Sequence, residues 1–161
     1  MLQFTTVLFT GLIAGLFYAY SCSVNPGLKA LPDADYVKTM QSINIAIQNP
    51  VFFFTFMGLL VLFPVTVYQM YRPIPSLDFY LFTIAMAIYF IGVFGITAVC
   101  NVPLNEQLAA FNLTSASPNE IAALRNLFEQ PWNTFHLVRT IASILSFSLV
   151  IIALLLKKEN L

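Results

Sequence analysis

Charge is what this sequence has least of. Its 161 residues hold seven Lys and Arg, seven Asp and Glu and one histidine, so charged residues make up 9% and the formal net charge is +0. A soluble domain carries about 25% charged residues, so a surface wetted all round is excluded. Without a basic excess, no face gathers the cations that neutralise a phosphate backbone, and nucleic acid is excluded as a partner. A single histidine excludes a His-rich facial triad. The two cysteines, Cys22 and Cys100, lack the CxxC and CxxCH spacings of redox and haem motifs. A Cys22/Cys100/His136 metal set and a Cys22–Cys100 disulfide stay open as alternatives, and two inert buried thiols are the simpler reading. No cofactor is expected.

What is present is apolar: 59% of residues, sixteen of them phenylalanine and seven tyrosine, with a mean hydropathy of +0.82. Four runs reach the length of about 20 residues that a helix needs to cross a hydrocarbon core. They cover residues 4–21, 51–70, 79–100 and 137–156, and Arg139 is the one charged residue inside them. Backbone groups in lipid must be bonded within a helix or a closed barrel. The expected fold is therefore all-α: a single domain over 1–161, built as a four-helix transmembrane bundle with two amphipathic helical connections on one membrane face. The first run lacks the basic flank of a signal peptide and reads as a retained span.

Small residues mark the tight contacts, with Gly11, Gly15 and Ala19 in the first span and Ala85, Gly92, Gly95 and Ala98 in the third. Packing within the chain is the simpler use of these stripes, with a homo-oligomer as the alternative. Pro64 should kink the second span and leave the Leu60 carbonyl without its usual donor.

The connections are unequal. Spans two and three are joined by a short turn with two prolines, Pro73 and Pro75, whereas residues 22–50 and 101–136 form long connections on one face. In the first, Pro32-Asp33 opens a helical pattern with Tyr36, Met40, Ile43 and Ile47 on one side and Gln41, Asn44 and Gln48 on another, until Asn49-Pro50. In the second, Ser117-Pro118-Asn119-Glu120 has the form of a capping box, followed by an apolar stripe of Ile121, Leu124, Leu127 and Phe128. Two amphipathic helices over the bundle mouth, a lid in functional terms, follow from this. Arg72, Lys157 and Lys158 sit directly beside spans on the other face, which favours cytoplasmic termini in a cell membrane, the bacterial inner membrane. The sequon Asn112-Leu113-Thr114 has meaning only in a cell that glycosylates such loops.

The only tryptophan and the only histidine open the last span, in Pro131-Trp132-Asn133-Thr134-Phe135-His136-Leu137-Val138-Arg139-Thr140. On a helix, Trp132, His136, Arg139 or Thr140, and Ser143 share a side. A histidine can take a proton, and a fixed guanidinium can hold an enolate or phenolate oxygen. The plainer alternative is an arginine reaching for headgroups and a histidine bonded to a loop. Asn101 and Asn105 bracket Val102-Pro103-Leu104, so they either cap and face headgroups or bind a ligand's polar edge and hold His136. Glu106 is a candidate to orient the imidazole. Gln41, Asn44, Asn25 and Gln48 offer further amides, and Tyr18 lies near the mouth.

Several stretches resemble a family of small bacterial membrane proteins. They are Ala14-Gly15-Leu16-Phe17-Tyr18-Ala19-Tyr20-Ser21, Asn25-Pro26-Gly27-Leu28, Met40-Gln41-Ser42-Ile43-Asn44 and Asn49-Pro50-Val51-Phe52. Asn101-Val102-Pro103-Leu104-Asn105 and Trp132 with His136-Leu137-Val138-Arg139-Thr140 continue the likeness over nearly the whole chain. This is domain-of-unknown-function family 1772, grouped with fungal anthrone oxygenases. The resemblance implies oxidation of an anthrone to an anthraquinone without metal or flavin. His136 would be the base and Arg139 the oxyanion partner, with Asn101, Asn105 and Trp132 shaping the pocket and Thr140, Asn44, Gln41 and Tyr18 as further substrate contacts. The expected substrate is a small apolar aromatic or quinone-like molecule that enters from membrane lipids. A non-catalytic protein that binds a lipid, quinone or partner subunit is the rival. A transporter is disfavoured by four spans without an inverted repeat or a midplane charge.

Overall fold

The computed structural model describes residues 1–159, with side chains through Leu156; the side chains of Lys157 and Lys158, on which the orientation argument leans, lie outside the described residues. Helix is the only regular structure among them. The elements are α1 (Leu2–Lys29), α2 (Asp33–Ala46), α3 (Pro50–Met70), α4 (Leu77–Ala110) and α5 (Pro118–Glu159). Four of them, α1, α3, α4 and α5, are long and apolar enough to cross a membrane. The chain is a multi-pass membrane protein. Phe4, Leu8, Phe54, Val61, Ile91, Ile141 and Ile152 are exposed along the spans, as on helices that face an apolar surrounding.

The local signals act as the sequence suggests. Asn49 caps α3, its Oδ1 accepting from the Phe52 N–H at 3.0 Å, with Pro50 in the first turn. At the start of α5 the capping box is formed: Glu120 accepts from the Ser117 N–H at 2.7 Å, and Ser117 Oγ accepts from the Glu120 N–H. Asp33 and Asp35 occupy the first turn of α2, where a helix N-terminus favours negative charge. Pro64 sits inside α3 without ending it.

Three helices run further than their apolar stretches. α1 passes Ser21 and continues to Lys29 through a π-helical turn, Tyr20–Val24, and α4 continues to Ala110 through two more, Tyr89–Gly95 and Thr97–Asn101. Pro26 and Pro103 each lie two residues past the end of such a segment. A proline removes one N–H donor, and a change from i→i+4 to wider i→i+5 bonding is where a missing donor interrupts the ladder least. The amphipathic stretch expected after Ser117 is present, but it is continuous with the fourth span through Pro131.

The four spans form a ring in which α5 packs against α4 and α1, and α3 against α1 and the Leu77–Ile88 part of α4. Gly92 is pressed against α5, since a Cβ there would lie 2.7 Å from the Ala142 Cβ, and a Cβ on Gly11 would lie 2.8 Å from the Phe147 ring. Gly15, expected in the same stripe, has nothing within 4 Å. Buried hydroxyls cross-link the ring: Thr6 to Thr66 at 2.8 Å, Tyr89 to the Phe56 carbonyl at 2.9 Å, and Ser146 to the Ala85 carbonyl at 2.9 Å. Such bonds contribute about 0.6 kcal/mol each on average in a bilayer.

A second apolar cluster caps the mouth, made by Leu28, Tyr36, Val37, Met40, Leu108, Ile121, Phe128 and Trp132. Arg125 fastens it. Its guanidinium donates to the Lys29 and Leu31 carbonyls, at 3.0 and 2.7 Å, and pairs with Asp33 and Glu129 while lying over the Tyr36 ring. One side chain thus satisfies the last carbonyl of α1 and one in the link beyond it, and ties α5 to the start of α2. Burial and the nearby Glu129 carboxylate push the Tyr36 phenol well above its ordinary pKa, against the opposing pull of Arg125, so it stays protonated.

Candidate functional site

Beyond Leu77–Ile88, α3 and α4 part, touching through the Phe56 ring against Tyr89 and Phe94. The space between them, roofed by α2 and backed by α1 and α5, is a cavity of about 740 Å³. Its volume suits a drug-sized ligand. Phe52, Phe53, Phe56 and Met57 of α3 and Phe94 and Ala98 of α4 give it apolar walls. Phe53, Met57, Ala98 and Val102 are themselves exposed on the lipid-facing side, so the cavity opens laterally between the two helices.

At its inner wall stand His136 and Arg139, 1% and 8% exposed. They lie one turn apart on α5, and Arg139 Nε donates to His136 Nδ1 at 3.1 Å. An arginine only donates, so Nδ1 carries the lone pair and the neutral ring holds its proton on Nε2. Nε2 then donates to Ser21 Oγ at 3.0 Å. The Trp132 indole stacks on the imidazole at 5.1 Å, and the Phe17 and Tyr20 rings enclose the other sides at 5.7 and 5.5 Å. The Arg139 guanidinium lies over Phe17 at 4.6 Å and Trp132 at 5.1 Å. Nη1 reaches Thr97 Oγ1 at a long 3.4 Å. Among the described residues both ion pairs belong to Arg125. Arg139 is therefore a buried cation bordering the cavity with no carboxylate within ion-pair distance among the described residues, Glu106 being the one acid on the lining.

Of the residues singled out from the sequence, His136, Arg139, Trp132, Asn105, Gln41 and Asn44 line this cavity. Others stand behind them. Thr140 donates to the His136 carbonyl at 2.8 Å and supports the ring's Ser21 partner, and Ser143 donates to the Thr140 carbonyl. Asn101 is fully buried and donates to the Trp132 carbonyl at 3.2 Å, while its Oδ1 has no partner. Asn105 accepts from the Trp132 indole N–H at 2.7 Å. The two asparagines thus fix the tryptophan rather than the histidine. Glu106 borders the cavity, yet Arg139 and Ser21 orient the imidazole. Gln41 is an anchor, its amide donating to the Leu108 and Phe111 carbonyls at 2.8 and 3.0 Å, whereas the Asn44 amide nitrogen is buried without a partner.

Tyr18 is a correction. It is 59% exposed and outside the cavity lining, because it falls about 100° around α1 from Phe17. Phe17, Tyr20 and Ser21 hold the positions facing His136, and sequence reasoning missed them together with Thr97. Phe17, Tyr20 and Ser21 had a signal in their three- and four-residue spacing and in the family-like stretch 14–21, and Pro103 shortly follows the π-helical segment containing Thr97. Cys22 is exposed and Cys100 half-buried, both as free thiols, so the expected pair of buried thiols is not found. Among the described residues no three His, Cys, Asp or Glu side chains are grouped for a metal.

The family model described as anthrone oxygenase matches residues 52–149, more than half the chain. That segment runs from the start of α3 into α5 and contains Asn101, Asn105, Trp132, His136 and Arg139. No curated protein and no solved structure matches the chain. The chain belongs to the anthrone oxygenase family, also known as domain-of-unknown-function family 1772.

Proposed function

We propose that this protein is a membrane enzyme that oxidises an activated methylene of a small apolar aromatic or quinone-like molecule with oxygen. The substrate enters from lipid between α3 and α4. Its plane lies among Phe52, Phe56 and Phe94, and its oxygen-bearing edge meets Arg139. His136 removes a proton from the methylene, and the electron pair left on carbon delocalises onto the ring oxygen, where the guanidinium takes up the charge. The carbanion then reduces oxygen. In balance, the methylene and one O2 become a ketone and one water, so the reaction needs no further oxidant.

The observation that carries this reading is Arg139, a buried guanidinium on a cavity wall with no carboxylate partner and with Nη2 unbonded among the described residues. A charge so placed is stabilised by an anionic or electron-rich oxygen from outside the chain. In this reading the whole chain is one unit, because α1 and α2 contribute Phe17, Tyr20, Ser21 and Asn44. Both termini are taken as cytoplasmic, with the mouth on the opposite side. Replacing His136 by alanine should abolish oxygen consumption with an anthrone probe in nanodiscs at unchanged folded yield. Full activity in that variant would sink the base assignment.

One observation favours the non-catalytic rival. The Nδ1 lone pair is engaged by Arg139, as it would be in a protein that only holds a quinone or lipid headgroup. Stoichiometric ligand in native mass spectrometry, without turnover of any activated aromatic methylene, would decide for it.

A further inference from the structure

His136 borders two spaces. On the side away from the main cavity lies a shallower pocket of about 310 Å³, lined by Ser21, Asn25, Pro26, Lys29, Asn133 and Leu137 together with His136 itself. We propose that the proton taken up by His136 passes out on this far side, through the Ser21 hydroxyl into the second pocket. The proposal rests on His136 being the base of the reaction above.

Hydrogen-bond directions set the route. Nδ1 accepts from Arg139, so Nε2 is the protonated nitrogen and donates to Ser21 Oγ at 3.0 Å. Thr140 Oγ1 donates to the His136 carbonyl at 2.8 Å, so its proton is committed, and it accepts from Ser21 at 3.1 Å. As the bonds stand, the Ser21 hydroxyl proton points at Thr140 Oγ1, so it has to turn toward the second pocket before it can leave. Thr140 ends at a carbonyl and leads nowhere. The Ser21 hydroxyl borders the second pocket, and Lys29 is the ionisable group on that side; Arg139 and Tyr20 stand on the other.

The transfer balances as follows. Arg139 Nε–H turns from Nδ1 to the substrate oxygen, freeing the lone pair. The substrate C–H bond breaks, its electron pair stays on the substrate, and the proton bonds to Nδ1. The Ser21 hydroxyl gives up its bond to Thr140 and turns to a water in the second pocket, and the Nε2–H proton moves to Ser21 Oγ as the Ser21 hydroxyl proton leaves to that water. The ring is neutral again, and the imidazolium never has to persist beside the guanidinium. The proton returns by the reverse path when oxygen leaves as water.

Anaerobic stopped-flow with an anthrone probe in nanodiscs tests this, because without oxygen the reaction halts at the bound anion. Anion absorbance and a pH dye in the bulk are followed together. The wild-type chain should form the anion and release a proton at the same rate. Ser21→Ala should slow both at least ten-fold, with affinity for unreactive anthraquinone unchanged, and Ser21→Thr should restore them. Asn133→Phe, which fills the second pocket without touching the ring's hydrogen bonds, should slow release likewise. Wild-type rates in both Ser21→Ala and Asn133→Phe, with His136→Ala inactive, would overturn the relay and leave the proposed function standing. Wild-type rates in His136→Ala, or no anion in the wild-type chain, would overturn both.

Discussion

Replacing Arg139 by leucine separates a ligand-binding cation from a structural clasp. A guanidinium buried to 8% exposure has lost most of its hydration, which costs several kcal/mol. Against this stand one charge-assisted bond to His136 at 3.1 Å, worth about 1.5–3 kcal/mol, and two ring contacts, each about 0.5–2 kcal/mol. The bond to Thr97 at 3.4 Å is too long to add much. These effects nearly cancel. The empty Arg139→Leu protein should therefore unfold within about 2 kcal/mol of wild type, in either direction. The catalytic loss should be far larger, about 10²–10³ in turnover, as for removal of an oxyanion donor. The assay is thermal unfolding followed by the helical circular dichroism signal, with and without anthraquinone, beside oxygen consumption with anthrone. Wild type should be stabilised by the quinone and the variant should not. Destabilisation beyond about 4 kcal/mol, as expected for breaking a satisfied buried ion site, with normal turnover per folded molecule, would refute the reasoning.

Asn105→Leu leaves the buried Trp132 N–H without its acceptor at 2.7 Å; about 1–3 kcal/mol of stability should be lost in the same unfolding assay, with weaker quinone binding. Gly92→Val places methyl groups where a Cβ alone would lie 2.7 Å from Ala142; overpacking should destabilise by about 1–3 kcal/mol, and Ala142→Gly should recover part of it. Arg125→Met removes the donors to Lys29 and Leu31 and the partner of Asp33; residues 30–33 should become a protease-sensitive site while wild type resists. Tyr18→Phe, on the exposed outside of α1, should change neither turnover nor quinone affinity.

The bundle and its mouth were legible because lipid imposes a simple rule: long apolar runs span, and the amphipathic Tyr36/Met40 and Ile121/Phe128 stripes cover what remains. The His136/Arg139 pair was legible because α5 is regular there, so four-residue spacing puts Trp132, His136 and Thr140 on one side. What failed had a local cause. A π-helical turn adds a residue and rotates everything after it, so Thr97, which follows Tyr89–Gly95, arrives at the site from a position that regular spacing would misplace, whereas Ser21 lies one ordinary turn after Phe17. Tyr18 was expected at the mouth, but Tyr20, two residues on and so on the opposite side of the helix, is the tyrosine on the cavity lining. Asn101 and Asn105 were candidates for a ligand's polar edge, yet the buried Trp132 indole and the Trp132 backbone carbonyl engage them. The role of Arg125 had no local signal, because the carbonyls it satisfies lie more than ninety residues earlier in the chain.

The most direct test of the central claim is a high-resolution structure of the protein in nanodiscs with unreactive anthraquinone. The expected result is the planar molecule between α3 and α4, one carbonyl oxygen within hydrogen-bond distance of an Arg139 nitrogen and its opposite edge toward the opening. His136 Nδ1, released by Arg139, should then face the ligand. An acyl chain or an empty cavity, with Arg139 still bonded to Nδ1, would contradict it and leave His136 and Arg139 as a clasp between α5, α1 and α4.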